Sequence, residues 1–221
     1  MFLGHYGVAL ASKRLVPRTS LGTLASAAQW LDELWPFLLL LGLESARIAP
    51  GLMAANPIDF VSYPISHSLV GALVWAAVIG LACVMIRRDR RGAWIVGALV
   101  VSHWFLDVPM HRPDLPLWPG STTRMGLGIW NSIPLTILVD GGVFLAGLIV
   151  YLRGTREVDR TGRWALWSMV AALVLIYLSS LFGPPPSSVR ALAISALGLW
   201  LFVPWSYWID RHRALATGAT R

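Results

Sequence analysis

"AWIVGALVVSHWFLDVPMHR", residues 93–112, is an apolar run that carries polar residues towards its end. Its apolar part, residues 93–109, approaches the ~20 residues needed to cross the hydrocarbon core of a bilayer. His103, Asp107 and His111 lie four residues apart within it. An ionisable side chain at the centre of a membrane helix costs at least ~2.5 kcal/mol, so these residues need partners. The stretch predicts a membrane helix that contributes to a functional site.

The composition of the whole chain is that of a membrane protein. Of its 221 residues, 56% are hydrophobic and 13% are charged, against roughly 25% charged in soluble domains. We expect an all-α fold: a polytopic membrane helical bundle of about six transmembrane helices, forming a single domain over residues 1–221. The predicted spans are residues 24–46, 66–86, 93–109, 128–152, 164–183 and 189–209.

The basic residues predict the orientation of the bundle. Of the 18 Lys and Arg residues, 14 lie in residues 13–18, 87–91, 153–163 and 211–221, which all fall on one side of the membrane. The positive-inside rule then makes both termini cytoplasmic, in a bacterial inner membrane. Anionic lipid of the inner leaflet explains these clusters, so membrane lipids are the expected partner and nucleic acid is not.

Residues 1–18 are predicted to form a short amphipathic or half-inserted helix before the first span. Their basic residues follow the apolar run instead of preceding it, so a cleaved signal peptide is not expected. The only cysteine, Cys83, lies in an apolar stretch and excludes a thiolate metal cluster.

Other ionisable residues reach similar depths in the other predicted spans. A rise of ~1.5 Å per residue puts His103 roughly 15 Å from the cytoplasmic end of its helix and Asp140 roughly 18 Å from the outer end of its own. Asp32 lies near the same level, and His67 opens the second span. We expect these residues to converge on a cavity between the midplane and the outer surface. Glu44, at the end of the first span, also needs a partner.

The residue types in this set favour a divalent metal. His103 and Asp107 are separated by one helical turn and project from the same face. On a continuous helix His111 would be ~12 Å from His103. We expect Pro109 to end the helix, so that His111 folds back over the site. Imidazole and carboxylate ligands suit zinc first, with manganese and ferrous iron as alternatives.

A further carboxylate is expected to act as a general base or to orient a histidine ligand. Asp32 and Asp140 are the candidates, since Asp32 rather than its neighbour Glu33 is expected to face the site. Asp140 has a second interpretation, as a polar residue between packed helices, because Gly141 and Gly142 permit close helix approach. For His103 and Asp107 the alternative is a structural hydrogen bond within the bundle.

Several motifs, taken in order, resemble the YdjM-like group of predicted inner-membrane metal-dependent hydrolases. The similar segments are "GHYGVALASKR" (4–14), "LDELWPFLLLLGLE" (31–44), "PISHSL" (64–69), "SHWFLDVPMHRPDLPL" (102–117) and "LGIWNSIPLTILVD" (127–140). The similarity covers about residues 1–145, and the last two spans carry no motif.

The resemblance implies functional weight for several of these residues. His5 enters the metal site mainly on this ground, since the topology alone would leave it on the cytoplasmic side. The predicted metal ligands are His5, His67, His103, Asp107 and His111, and the predicted catalytic residues are Asp32 and Asp140. The resemblance also gives some weight to Asp114 and Asn131.

The function expected from residues and resemblance is that of a membrane hydrolase with a metal-activated water. A lipid-like ester or phosphoester reaching the site from the outer half of the bilayer is the expected substrate. Buried acids and histidines also mark ion pathways, so a proton- or ion-coupled transporter is one alternative. A non-catalytic membrane subunit of a larger complex is the other.

Overall fold

The computed structural model describes residues 1–216; Arg221, which was counted among the basic residues of the C-terminal segment, lies outside this range. The fold is mostly helical, as predicted. The helices are α1 (Leu3–Ser12), α2 (Leu21–Leu40), α3 (Leu69–Arg87), α4 (Arg90–Met110), α5 (Ile133–Gly154), α6 (Arg160–Phe182), α7 (Val189–Ala196) and α8 (Phe202–Arg211). A 3-10 segment, Leu197–Leu201, joins α7 to α8.

The long helices begin at residues whose side chains can bond a free backbone N–H group. Such an N-cap replaces one of the hydrogen bonds that the first turn of a helix lacks. Ser68 accepts from the Gly71 N–H, Asp89 from the Gly92 N–H, and Asp159 from the Gly162 N–H. Serines begin α2, α5 and α7 in the same way. Local sequence therefore sets where most of the helices start.

Within residues 1–216, five helical segments are long and apolar enough to cross a membrane. They are α3, α4, α5, α6 and the continuous segment Val189–Arg211 that contains α7 and α8. The protein is thus a polytopic helical membrane protein. The first predicted span, residues 24–46, corresponds to α2, which is not among the five. Gln29, Asp32 and Glu33 lower its hydropathy, and most of its residues are buried between other helices.

In the described part of the chain, three two-stranded antiparallel pairs lie at the ends of the bundle. The strands are β1 (Ser45–Ile48) with β2 (Ile58–Ser62), β3 (Leu115–Pro116) with β4 (Arg124–Met125), and β5 (Thr155–Glu157) with β6 (Arg213–Leu215). The first two pairs lie at the end of the bundle where α2 and α4 finish. The first span was predicted to reach residue 46, but α2 ends at Leu40 because the chain turns there into β1.

α1 is a buried half-length helix packed against α5. The closest approach is between Gly7 and Gly147, where a Cβ at Gly7 would lie 2.6 Å from the Phe144 Cα and a Cβ at Gly147 would overlap the Gly7 backbone. The expectation that Gly141 and Gly142 allow the close contact was wrong. A Cβ at either position would meet no heavy atom within 4 Å.

Replacing Gly147 by alanine should destabilise the fold, because the added methyl group overlaps the α1 backbone. Overpacking of this kind costs about 1–3 kcal/mol, and we expect a lower thermal unfolding midpoint in detergent. Gly142→Ala is the matched control on the same helix. Its methyl group has open space, so its midpoint should be unchanged or higher, since alanine favours helix over glycine by about 1 kcal/mol. Equal midpoints for the two variants would contradict the packing described.

Candidate metal centre

Four segments of the chain bring imidazoles and carboxylates together inside the bundle. α1 supplies His5, α2 supplies Asp32, the turn before α3 supplies His67, and α4 supplies His103 and Asp107. The three histidines and Asp107 are at most 2% exposed. The expected convergence of the polar residues is therefore present, and it includes His5.

Asp107 lies at the centre of this cluster, and its two oxygens face different partners. Oδ2 is 3.3 Å from His103 Nε2 and 3.8 Å from His67 Nε2. Oδ1 is 3.3 Å from His5 Nε2 and also accepts a hydrogen bond from the Met1 amino group. A single carboxylate thus joins α1, α4 and the segment before α3.

Asp32 lies with the histidines rather than apart from them. Its Oδ1 atom is 3.3 Å from His67 Nε2 and 3.6 Å from His103 Nε2. Asp32 was predicted as a catalytic residue outside the ligand set. Its geometry makes it a candidate ligand, and Glu33 turns away to accept a hydrogen bond from Ser26 at 2.7 Å.

The spacing of the donor atoms fits a metal ion. Zinc–ligand bonds of about 2.0–2.1 Å in a tetrahedron separate the ligand atoms by roughly 3.3–3.4 Å. The donor atoms form two groups, and the atoms inside each group lie within 4.8 Å of one another. One group comes from Asp32, His67 and His103, and the other from His5, His103 and Asp107. His103 Nε2 and both ring nitrogens of His5 have no hydrogen-bond partner among residues 1–216. Buried polar atoms left without a partner are costly, and a bound cation would satisfy them.

In two of the histidines, the Nδ1 atom contacts an oxygen that fixes the orientation of the ring. His103 Nδ1 is 2.8 Å from the Ala28 carbonyl oxygen, and His67 Nδ1 is 2.7 Å from the Ser66 hydroxyl. Metal-binding histidines usually have such a partner on the second ring nitrogen, which fixes the ring and its tautomer. Each ring therefore directs Nε2 towards the carboxylates. The His5 ring stacks on His103 with centroids 3.7 Å apart.

His111 lies beside the cluster and is held by a different carboxylate. Its Nε2 atom is 3.9 Å from Asp107 Oδ2, while Nδ1 is 2.9 Å from Asp114, so it belongs to neither group of close donors. The expectation that Pro109 ends the helix was wrong, because α4 continues through Pro109 to Met110. The backbone becomes extended at His111 itself.

The Tyr63 hydroxyl completes this second arrangement by donating to Asp114 at 2.8 Å. Burial raises the pKa of Tyr63, so the hydroxyl keeps the proton that it donates. Burial also lowers the pKa of His111 from its ordinary value. His111 is therefore a neutral imidazole oriented by a carboxylate, with Nε2 on the side of the cluster.

Asp140 lies at the start of α1 and not within the donor groups. Its oxygens accept hydrogen bonds from the Phe2 N–H at 3.1 Å and the Gly4 N–H at 2.6 Å. A carboxylate at the first turn of a helix satisfies free N–H groups and opposes the positive end of the helix dipole. Asp140 thereby holds α1 in the position that brings His5 to the cluster.

A cavity of about 480 Å³ adjoins the cluster. Asp32, His67, Asp107, His111 and Asp140 contribute to its wall. Much of the remaining lining comes from the β1–β2 pair and loops above the bundle, from the end of α6, from the turn after it and from α7, including Phe60, Trp130, Ile176, Tyr177, Leu181, Pro184–Pro186 and Leu192. The cavity thus joins a charged wall to an apolar one.

Sequence reasoning missed two parts of this site. Tyr177 lines the cavity, is 5% exposed, and has no hydrogen-bond partner for its hydroxyl among residues 1–216. The sequence showed only that Tyr177 lies in the apolar run that forms α6. Ser66 looks like a helix cap in the sequence, but Ser68 caps α3 and Ser66 contacts His67.

Comparison with known proteins identifies the family. The family model of the YdjM inner membrane protein matches residues 7–184. The chain belongs to the YdjM inner membrane protein family. As a member with five candidate spans, it is a multi-pass inner membrane protein. The matched region includes Asp32, His67, His103 and Asp107, whereas His5 precedes it. No curated protein and no solved structure matches the chain.

If the cluster holds a metal ion, the His103→Ala variant should contain less metal than the parent protein. We expect protein purified in mild detergent to contain a divalent metal by elemental analysis, and the variant to contain much less. The metal should also raise the unfolding midpoint of the parent protein, because a ligand at 100 times its dissociation constant stabilises the folded state by about 2.7 kcal/mol.

His212→Ala is the matched control for this measurement. His212 bonds Asp159 at 2.8 Å beside the β5–β6 pair, outside the cluster. Its replacement should leave the metal content unchanged. Equal metal content in the two variants would contradict a role for His103 as a ligand.

Proposed function

We propose that this protein is a membrane-bound, metal-dependent hydrolase. The observation that carries the proposal is a cluster of three buried imidazoles, the buried Asp107 and the partly exposed Asp32, whose donor atoms lie 3.3–3.8 Å apart around unpartnered nitrogens. Charges and polar atoms inside a membrane bundle are expensive, and a cluster of this composition is explained best by a bound cation.

The metal is assigned to four residues, His67, His103, Asp32 and Asp107. His5 completes the set on the Oδ1 side of Asp107. Zinc suits these ligands, and manganese or ferrous iron are the alternatives. A catalytic metal of this kind lowers the pKa of a bound water and polarises a carbonyl or phosphoryl oxygen. Because Asp32 faces the histidines, it is assigned to the metal rather than to proton transfer.

Two residues are assigned to act on the substrate directly. His111 lines the cavity, and Asp114 holds its Nδ1 atom while Nε2 lies 3.9 Å from Asp107 Oδ2, so it is assigned to bond a substrate oxygen or exchange a proton at Nε2. Tyr177 offers an unpartnered hydroxyl in the same cavity. Asp140 is assigned to holding α1 and His5, which replaces the catalytic role first expected for it.

The cavity supports a lipid-like ester or phosphoester as the substrate. Its wall carries the ligand cluster and also apolar side chains of α6, α7 and the turn between them, including Ile176, Leu181 and Leu192. An amphiphile could place its polar group at the cluster and its chain against these residues. Membrane lipids are accordingly the proposed partners, with no role for nucleic acid.

The proposed topology is a single domain with six spans, of which α2 is the one enclosed by the others. α1 then forms a half-length helix that enters from the cytoplasmic side, where Lys13 bonds Asp210 at 2.7 Å. β5 and β6 pair on that same side, so the end of α1 and the C-terminal strand are proposed to be cytoplasmic. The expectation of a cytoplasmic N-terminus does not fit, because the Met1 amino group lies inside the bundle against Asp107.

The topology predicts the labelling of introduced cysteines in spheroplasts. In a Cys83→Ala background, a cysteine at the exposed Thr122 should react with a membrane-impermeant maleimide, and one at the exposed Arg156 should react only after lysis. The reverse pattern would invert the proposed orientation.

The hydrolase proposal predicts a metal-dependent activity on amphiphilic esters. Purified protein in mixed micelles should release product from short-chain fluorogenic phosphoesters or carboxylic esters, and a chelator should remove the activity until zinc or manganese is restored. His67→Ala should lower kcat at least 100-fold because it removes a proposed ligand. Tyr177→Phe should retain the metal and lose about 10-fold in kcat/KM, since it removes only a hydroxyl.

The same preparation distinguishes the alternatives. Metal-dependent ion flux in liposomes without product release would favour a transporter. Co-purification in a stoichiometric complex with no metal and no activity would favour a non-catalytic subunit. Either result would overturn the hydrolase assignment.

A further inference from the structure

A chain of buried hydrogen bonds leads from Glu44 to the back of His67. The Ser66 hydroxyl donates to Glu44 Oε2 at 2.6 Å, and the same Ser66 oxygen is 2.7 Å from His67 Nδ1. Glu44, Ser66 and His67 are 3%, 0% and 2% exposed. The proposed metal site does not itself use Glu44, a buried acid for which the sequence offered no partner.

Glu44 also sets the course of the backbone before α3. Its Oε1 atom accepts the Ile65 N–H at 2.7 Å and the Ser66 N–H at 2.8 Å. Glu44 follows the end of α2, where its own N–H bonds the Leu38 carbonyl at 3.2 Å. One carboxylate therefore ties the end of α2 to the turn that carries His67.

The directions of these bonds fix where the proton of His67 lies. A carboxylate only accepts hydrogen bonds, so the single Ser66 hydroxyl proton points to Glu44. The Ser66 oxygen then has only lone pairs to offer His67, and Nδ1 must be the donor. In a neutral ring the other nitrogen, Nε2, carries the lone pair. That lone pair faces Asp32 Oδ1 at 3.3 Å and Asp107 Oδ2 at 3.8 Å.

We infer that Glu44 and Ser66 are positioning residues that hold neutral His67 in the tautomer able to bind a metal through Nε2. A lone pair directed at two carboxylates is unfavourable unless a cation lies between the lone pair and the carboxylates. The direction of the hydrogen bonds from His67 through Ser66 to Glu44 is therefore the one that a metal at the proposed site requires. The inference rests on the proposed metal-dependent function for its purpose. The tautomer itself depends only on the hydrogen bonds.

Glu44→Gln tests the direction of the chain with little change in shape. The side-chain amide of this variant can still accept the two backbone N–H groups through its oxygen, and its nitrogen donates to Ser66. The Ser66 proton is then free to point at Nδ1, which makes Nδ1 the acceptor and moves the ring proton to Nε2. In that tautomer His67 cannot bind a metal through Nε2 until the hydrogen bond between Ser66 and Nδ1 returns to its direction in the parent protein.

The experiment records the tautomer and the affinity separately. Metal-free protein labelled with 15N-histidine is examined by NMR at a pH where the ring shifts show neutral His67, assigned by its loss in His67→Ala. We expect the proton on Nδ1 in the parent protein and on Nε2 in Glu44→Gln. Zinc affinity, measured by competition with a chromophoric chelator, should fall roughly 10- to 100-fold in Glu44→Gln.

Glu33→Gln is the matched control, because Glu33 is also a buried acid that accepts a hydrogen bond from a serine, Ser26. Within residues 1–216 that pair has no hydrogen bond to a histidine, so this variant should keep the parent tautomer and affinity.

Ser66→Ala is the second test variant, which removes the hydrogen-bonded link between Glu44 and His67 without adding a new donor. It should give a mixture of tautomers and an intermediate loss of affinity.

The outcomes separate this inference from the proposed function. A proton that stays on Nδ1 in both Glu44→Gln and Ser66→Ala would overturn the positioning role, even if zinc binds. A tautomer that switches in a protein that binds none of zinc, manganese and ferrous iron would support the positioning role and overturn the metal-dependent function. An equal loss of affinity in Glu33→Gln and Glu44→Gln, without a change of tautomer, would reduce Glu44 to a structural residue.

Discussion

The burial of Asp107 is the constraint on which the rest of the structure depends. Its carboxylate is 1% exposed within a bundle built for lipid, where an unpartnered charge costs several kcal/mol. Every segment that approaches it supplies a polar partner: α1 brings His5, the turn before α3 brings His67, and α4 brings His103 one turn away. The positions of these segments are therefore set together.

A second layer of hydrogen bonds holds the partners of Asp107 in place. Asp140 on α5 fixes the start of α1, Glu44 fixes the turn before α3, and the Ala28 carbonyl of α2 fixes His103. Between helices in lipid, apolar packing discriminates weakly between alternative registers, because lipid chains are as apolar as the side chains. Polar contacts that leave one satisfied arrangement supply that discrimination, and here they surround the site proposed for catalysis.

Individual residues differed in how far they could be predicted. His103 and Asp107 were predictable as a pair, because a spacing of four residues puts them on one helical face whatever the rest of the chain does. The division of roles between Asp32, Asp140 and His111 was not, since it depends on a few ångströms between separate helices. Gly141 and Gly142 were expected to permit close helix approach, yet the close contact of α5, which is with α1, occurs one to two turns later at Gly147, because helix register is decided by both partners.

The sequence by itself determined the membrane character, the approximate helices and the need for a buried polar site. Those properties follow from composition, periodicity and N-cap residues, which act over a few neighbouring residues. Only the tertiary structure decided that α2 is enclosed by the other helices, that Asp32 joins the histidines, and that Glu44 reaches His67 through Ser66. These relations join residues far apart in the chain, and their distances depend on how the helices pack.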